Sequence, residues 1–240
     1  MDPYIYGFFA LVYIVVLAWG IMKHEKTESA ILFVVIIALI YDNIILAFGH
    51  LIGAGETLKA LSYWRFLLHA IFTPMLILFS LFILKEANIR FMQKKWVVIA
   101  FGLLTVTAMI AEYFFELRDL TLKVEEAYGV VSYTSASSSG LPIMISLVIV
   151  ALLFASIILV WKRKWWWMLV GLIIMAVGGV FNRLFASNTV TNALELALVI
   201  ALMYPAIDFS KDSKRGPSRY YYGVYKLVSM FRRRAYIILK

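Results

Sequence analysis

Long apolar segments alternate with short polar connections along the chain. Seven of these segments have about the 20 residues that a helix needs to cross the hydrocarbon of a bilayer. They comprise residues 4–22, 29–52, 64–84, 96–114, 141–161, 165–185 and 189–207. The pattern predicts an all-α, polytopic membrane protein with seven transmembrane helices.

Composition agrees with this fold class, since 63% of the residues are hydrophobic, 15% are charged and the mean hydropathy is +0.88. Soluble domains carry more charge and fewer apolar residues. Nothing basic precedes the first segment and no small-residue cleavage pattern follows it, so it is interpreted as an uncleaved span. Residues 1–207 are therefore predicted to form the bundle and residues 208–240 a separate tail.

Positive charge is unevenly divided between the two sets of connections. Most of the 23 Lys and Arg residues follow the odd-numbered spans or lie in the tail. Lys59, Arg118 and Lys123 are those in the connections on the other side. Cytoplasmic connections are enriched in Lys and Arg, which predicts an N-terminus outside and a C-terminus in the cytoplasm.

The tail mixes aromatic residues with Lys226 and the run Arg232, Arg233 and Arg234. Such a segment is suited to the anionic lipids of an inner leaflet. We therefore expect it to contact the lipid surface, and nucleic-acid binding is the less favoured interpretation. The cell membrane is the favoured location, with an organelle membrane left open.

Ionisable residues interrupt the apolar segments, although such residues are costly in lipid. Asp42 and Glu195 lie deepest, near the centres of the second and seventh spans, and His69 lies on the third. Because a low dielectric favours the neutral form of a carboxyl group, Asp42 and Glu195 could bind and release protons. These three residues are the candidates for proton carriage or acid–base catalysis.

Further polar residues lie at the midplane or in the outer half of the predicted bundle. The candidates for contact with a substrate or solute are Asn43, His50, Arg65, Glu112, Asn182, Arg183 and Asn192. Three- and four-residue spacings place most of them on shared helix faces. We expect a polar funnel that is open to the outside, covered by residues 50–65, and closed toward the cytoplasm by apolar side chains.

The charges also have a purely structural interpretation. Asp42 could pair with Arg65 or Arg183, and Glu195 with the other arginine, so that the charges only hold helices together. This alternative stays open from the sequence.

Three local features complete the expected architecture. Pro74 is expected to bend the third helix. Gly171 and Gly178 share a helix face, which is typical of close packing between helices. Residues 115–140 are interpreted as a long loop with a Ser-rich end that is too polar to pack.

Several kinds of chemistry are excluded by residue usage. The chain has no Cys and only three His residues, which excludes disulfides, thiolate chemistry and histidine-rich metal sites. The last span has no Lys for a retinal Schiff base and no His for a paired-histidine hydrolase site. A metal held by Asp42, His69 and Glu195 stays conceivable, although no compact ligand motif supports it.

Three function classes remain. A transporter or permease for a small polar or anionic solute, coupled to protons, is favoured because intramembrane acids mark proton relays. The first alternative is a membrane-embedded enzyme acting on a lipid or lipid-linked substrate in the outer leaflet. The second is a ligand sensor or assembly factor that uses the same pocket without turnover.

Overall fold

The computed structural model describes residues 2–25, 27–136, 143–182 and 189–212, with side chains for all of these except 180–182 and 212. This part of the chain forms eight α-helices and one β-hairpin. The elements are α1 (Asp2–Lys23), α2 (Ile31–Ile52), α3 (Glu56–Phe72), α4 (Met75–Glu86), α5 (Lys95–Glu112), β1 (Leu122–Ala127), β2 (Val130–Ser135), α6 (Ile143–Arg163), α7 (Trp167–Asn182) and α8 (Thr189–Asp212).

The helices identify a membrane-embedded protein. Within the described ranges, six helical segments are long and apolar enough to span a bilayer, and the apolar helix Trp167–Gly179 is shorter. Large apolar side chains such as Leu103 and Val150 point away from the bundle and are exposed. A surface of this kind is stable against lipid tails and costly in water.

The third span begins earlier than the sequence predicts. Helix α3 starts at Glu56, so residues 50–65 do not form a cap, and a turn of residues 53–55 joins α2 directly to α3. Gly53 ends α2 with a φ of 78°, a conformation that glycine adopts without strain. The prediction was wrong because Glu56 and Lys59, which form an ion pair at 3.6 Å on the first turn of α3, make a helix start resemble a loop.

Pro74 lies between two α-helices of the same span. Helix α3 ends at Phe72 and α4 begins at Met75, and the two together form the continuous helical segment Glu56–Glu86. Proline has no amide hydrogen for the helix ladder, and its ring displaces the carbonyl one turn earlier. Thr73, immediately before Pro74, belongs to the lining of the cavity described below.

The predicted loop of residues 115–140 contains a β-hairpin that hydrophobicity did not reveal. Strands β1 and β2 are antiparallel, with Glu125 opposite Ser132. Tyr128 and Gly129 form the turn, and both have positive φ, as in the type I′ turns that suit hairpins. The Ser-rich residues 137–140 lie outside the described residues.

The hairpin is attached to the bundle by its apolar side chains. Tyr133 packs with Ile45 of α2 and Leu58 of α3 in a small buried cluster. The main core is separate and lies between α1, α2, α4, α6 and α8, with most of α4 fully buried. We call the end of the bundle that carries the hairpin the hairpin end.

Glycines set the spacing at two helix contacts. A Cβ at Gly171 would meet Ala201, and one at Gly178 would meet Leu194, so α7 packs closely on α8 through the face that the sequence identifies. At Gly49 an added Cβ would overlap the Val131 carbonyl oxygen of the hairpin. Gly49 therefore allows β2 to lie against α2.

Replacement of Gly49 by alanine should loosen the hairpin. We expect Gly49→Ala to lower the free energy of unfolding by about 2 kcal/mol, because a backbone carbonyl must move to admit the new methyl group. Gly102 is the matched control, since a Cβ there meets nothing within 4 Å. Gly102→Ala should be neutral or slightly stabilising. Thermal unfolding of the detergent-solubilised protein measures both, and equal effects would contradict the close approach.

Candidate functional site

A polar cavity of about 220 Å³ lies within the bundle between α2, α3 and α8. We call it the central cavity. Its polar lining consists of Asp42, Arg65, His69, Thr73, Asn192 and Glu195, and apolar side chains such as Val35, Leu39 and Phe72 complete the wall. The structure thus brings together the three candidates for proton carriage or catalysis and two of the candidates for solute contact.

Asp42 and Arg65 form an ion pair across α2 and α3. The Arg65 Nε donates to Asp42 Oδ1 at 2.8 Å, and the two side chains are 13% and 27% exposed respectively. One of the helix-pinning pairs that the sequence allowed is therefore present. Another nitrogen of the same guanidinium group, Arg65 Nη1, is buried and has no hydrogen-bond partner among the described residues.

His69 lies one turn beyond Arg65 on α3. Its Nδ1 is 3.2 Å from the Thr73 hydroxyl, which can donate to it or accept from it according to the tautomer. Thr73 lies four residues after His69 and has helical backbone angles, so the two side chains meet on neighbouring turns of one helical segment.

Glu195 faces the same cavity from α8 and is half-buried. Within the described ranges no hydrogen bond or ion pair involves its carboxylate. The buried Tyr13 hydroxyl of α1 lies within electrostatic range of both Glu195 and Asp42, and it has no hydrogen-bond partner among the residues described. Sequence reasoning missed Tyr13, although the seven-residue spacing of Tyr6, Tyr13 and Gly20 could have revealed a helix face.

A second cavity of about 240 Å³ lies beneath the hairpin, and we call it the vestibule. Its lining includes Asp2 and Tyr6 of α1, together with Glu125, Ser132 and Thr134 of the hairpin. Arg65 and Asn192 line both the vestibule and the central cavity. The two cavities are therefore neighbours that share these side chains as a common wall.

A third cavity, the side cavity, adjoins α3, α5 and α6 and measures about 220 Å³. Glu112 and Glu116 of the α5 segment line it together with Phe66 and His69, and the remaining lining is mainly apolar. Phe66 and His69 also line the central cavity. Glu112 is thus separated from Asp42 and Glu195 by the His69 side chain.

Two further candidates for solute contact, Asn43 and His50, are described but do not belong to the lining of these cavities. Asn43 is fully buried, and its Nδ2 donates to the Leu39 carbonyl at 2.9 Å. His50 is exposed on the last turns of α2. The side chain of Asn182 and the whole of Arg183 lie outside the described part of the chain. The same is true of Lys226, Arg232, Arg233 and Arg234.

Sequence analysis also missed a buried polar network at the end opposite the hairpin. Glu86 Oε1 and Oε2 accept hydrogen bonds from the Ser29 backbone N–H at 2.8 Å and from the Ser29 hydroxyl at 2.7 Å. His24 Nε2 lies 2.8 Å from the Ser29 hydroxyl and 3.3 Å from that of Thr27. The adjacent Glu28 forms an ion pair with Lys85. The expectation that buried polar residues lie only near the midplane or toward one side was therefore incomplete.

The order of groups in this network excludes a serine-nucleophile triad. In a triad the histidine lies between serine and carboxylate and takes the serine proton. Here the Ser29 hydroxyl lies between His24 and Glu86, and it donates to the carboxylate. The arrangement joins the α1–α2 connection to the end of α4.

No group of three or more His, Asp or Glu side chains in the described residues is placed to hold a metal ion. Asp42, His69 and Glu195 share a cavity without forming such a ligand set. Comparison with protein-family models, with curated proteins and with solved structures finds no match. The fold and the cavities define a class, a helical membrane protein with a cavity between its helices that is lined by ionisable side chains.

Proposed function

We propose that this protein is a transporter or permease for a small polar or anionic solute, with transport coupled to protons. The observation that carries the proposal is the meeting of Asp42, Arg65, His69 and Glu195 in one cavity within the bundle. Ionisable side chains are retained inside a membrane protein mainly along substrate and proton pathways. The vestibule extends this polar region toward the hairpin end through Arg65 and Asn192.

The orientation belongs to the same proposal. We place the hairpin end outside and the C-terminus in the cytoplasm, with seven spans in the cell membrane, because Lys and Arg concentrate in the connections of the opposite end. The shorter helix α7 is then the sixth span. The basic tail contacts anionic lipids of the inner leaflet through Lys226 and Arg232 to Arg234.

Glu195 is the proposed proton carrier. Asp42 is already engaged by Arg65, and this pair has no net charge. A charged Glu195 would leave the cavity with a net negative charge, which disfavours an anionic solute. Protonation of Glu195 removes that charge, so the solute and the proton favour each other's binding.

The test is proton-coupled uptake by proteoliposomes that contain a pH-sensitive dye. Alanine, lactate and inorganic phosphate are added in turn outside, and coupled entry of one of them should acidify the lumen. We expect Glu195→Gln to reduce this acidification about a hundredfold, the lower end of a general acid–base contribution. Glu56→Gln is the control, because the Glu56 side chain is 92% exposed. No acidification with any solute, or equal rates in both variants, would overturn proton-coupled transport.

The side cavity favours one second candidate, an enzyme acting on a lipid in the outer leaflet. This cavity is mainly apolar, lies between α3 and the α5 and α6 helices, and shares His69 with the central cavity. An acyl chain there would place a headgroup near an imidazole that can act as acid or base. Mass spectrometry of the vesicle lipids decides this candidate: a new lipid species that disappears in His69→Gln supports it, and unchanged lipids contradict it.

A further inference from the structure

We propose that the vestibule selects a small zwitterion, a ligand with an ammonium group and a carboxylate or phosphate group. The inference rests on the proposed function, because the zwitterion would be the solute that enters the central cavity. A free amino acid and a phosphoethanolamine headgroup share this chemistry. The vestibule volume of about 240 Å³ is below the range of about 300–1,000 Å³ typical of drug-sized ligands, which favours a small occupant.

The acidic part of the ligand would be bound by Arg65. Its Nε is held by Asp42 at 2.8 Å, whereas its Nη1 is buried without a hydrogen-bond partner among the described residues. A guanidinium nitrogen can only donate, so it requires an acceptor such as a carboxylate or phosphate oxygen. A buried donor without an acceptor is costly. The geometry of Arg65 is therefore suited to the anionic group.

Thr134 supplies a second polar atom that lacks a partner in the described part of the chain. Its Oγ1 is buried, has no hydrogen-bond partner within the described ranges, and belongs to the vestibule lining. Ser132 lies two residues earlier on β2, opposite Glu125, so Ser132, Thr134 and Glu125 share one face of the hairpin. That face lines the vestibule.

The charge of the lining determines the other part of the ligand. Arg65 is the only cationic residue among the described residues that line the vestibule, whereas Asp2 and Glu125 are anionic. The Tyr6 hydroxyl lies within electrostatic range of these two carboxylates and of Arg65 and Asp42. Lys123 shares the hairpin face with Glu125 but is exposed and does not belong to the lining.

Neither a simple anion nor a simple cation satisfies these groups. An anion would meet an excess of negative charge from Asp2, Glu125 and Asp42. A cation would leave Arg65 Nη1 buried and unsatisfied. A ligand that presents its acidic group to Arg65 and its ammonium group to Glu125 satisfies both ends. Selection of a zwitterion follows from this charge pattern.

Binding to the full-length purified protein in detergent tests the inference. The free probes are alanine, acetate and ethylamine, and the lipid probes are short-chain phosphatidylethanolamine and short-chain phosphatidylglycerol. Calorimetry should detect binding of alanine or phosphatidylethanolamine, and which of the two binds identifies the source of the zwitterion. Acetate, ethylamine and phosphatidylglycerol should bind at least about tenfold more weakly, as expected when a charged hydrogen-bonding group is missing.

Matched variants assign the binding to the vestibule. Glu125→Gln should weaken binding of the zwitterion about tenfold, because it removes one charge that faces the ammonium group. Glu126→Gln makes the same change one residue along β1, where the side chain is exposed on the opposite face, and should leave binding unchanged. Thr134→Val replaces the unpartnered hydroxyl by a methyl group, so the fold should persist while binding weakens.

The outcomes separate this inference from the proposed function. Equal binding of acetate or ethylamine, equal effects of Glu125→Gln and Glu126→Gln, or no binding by any probe would overturn selection of a zwitterion. Binding of alanine without uptake by proteoliposomes would support the vestibule site and contradict transport. Uptake of lactate without binding of either zwitterion would support transport and contradict the vestibule site.

Discussion

Replacement of Arg65 by glutamine should lower the free energy of unfolding by about 3 kcal/mol, the lower end of the cost of breaking a buried ion pair. In Arg65→Gln the Asp42 carboxylate keeps its place but loses the donor at 2.8 Å. Both side chains are largely withdrawn from solvent, so water cannot replace the lost partner fully. Asp42→Asn should also destabilise the protein, because the Arg65 guanidinium then keeps its charge without a carboxylate.

A double-mutant cycle measures the coupling within the pair. The double variant Asp42→Asn/Arg65→Gln contains no unpaired charge and should be more stable than the sum of the two single effects predicts. Chemical unfolding in detergent gives the four free energies. Arg118→Gln is the control for loss of a positive charge, because Arg118 is exposed beyond α5. Additive single effects would show that the two side chains do not stabilise each other.

The same double variant tests whether the pair has more than a structural role. A pair that only holds α2 against α3 can be replaced by neutral side chains without loss of ligand binding. If Arg65 Nη1 binds the acidic group of a ligand, the double variant should be stable but should not bind alanine or phosphatidylethanolamine. Stability and binding therefore separate the helix-pinning interpretation from the binding interpretation.

Hydrophobicity was sufficient to predict a mainly helical chain with six to seven helices apolar enough to span a membrane, because lipid requires long apolar segments with internally bonded backbones. It was not sufficient for the start of α3, since the polar first turn at Glu56 and Lys59 resembles a loop. The hairpin was missed because β1 is mainly polar and only the turn at Tyr128 and Gly129 carries a clear signal. Strand pairing at a membrane surface does not produce the long apolar pattern of a span.

The central cavity was predictable in part. Arg65, His69 and Thr73 follow one another at four-residue steps, a spacing that predicts one shared helix face, and the structure brings that face toward Asp42 and Glu195. The choice of Arg65 as the partner of Asp42 could not be predicted, because it depends on how α2 and α3 turn against each other. Asn43 follows Asp42 directly, and the 100° rotation per helical residue directs it into the protein instead of into the cavity.

The network opposite the hairpin could not be located from hydropathy. His24, Thr27 and Ser29 lie in a polar connection, and Glu86 follows an apolar span, so each resembles an exposed residue at a helix end. Only the fold brings the α1–α2 connection over the end of α4 and buries these side chains. Their packing also attaches α8, because the Glu25 backbone N–H donates to the Ser210 hydroxyl at 3.0 Å.

The hydrogen-bond network of Ser29 and Glu86 predicts a second large loss in the free energy of unfolding. Glu86 is only 5% exposed, and its two carboxylate oxygens accept from the backbone and the hydroxyl of Ser29. Ser29 is the second residue of the helical turn Glu28–Ala30 that continues into α2, so the carboxylate also lies at the positive end of a helix. Removal of the carboxylate leaves the Ser29 N–H buried without an acceptor, and an unsatisfied buried donor costs about 1–3 kcal/mol.

We therefore expect Glu86→Ala to lower the free energy of unfolding by about 3 kcal/mol, since it loses two hydrogen bonds to a charged group and leaves a cavity. Glu86→Gln keeps one carbonyl acceptor and should cost less. Glu25→Ala is the matched control, because its side chain is exposed and the backbone bond to Ser210 is retained, so its effect should stay within about 0.5 kcal/mol. Hydrogen exchange of the Ser29 amide should accelerate in Glu86→Ala but not in Glu25→Ala. Unchanged exchange at Ser29 would mean that Glu86 does not hold the start of α2.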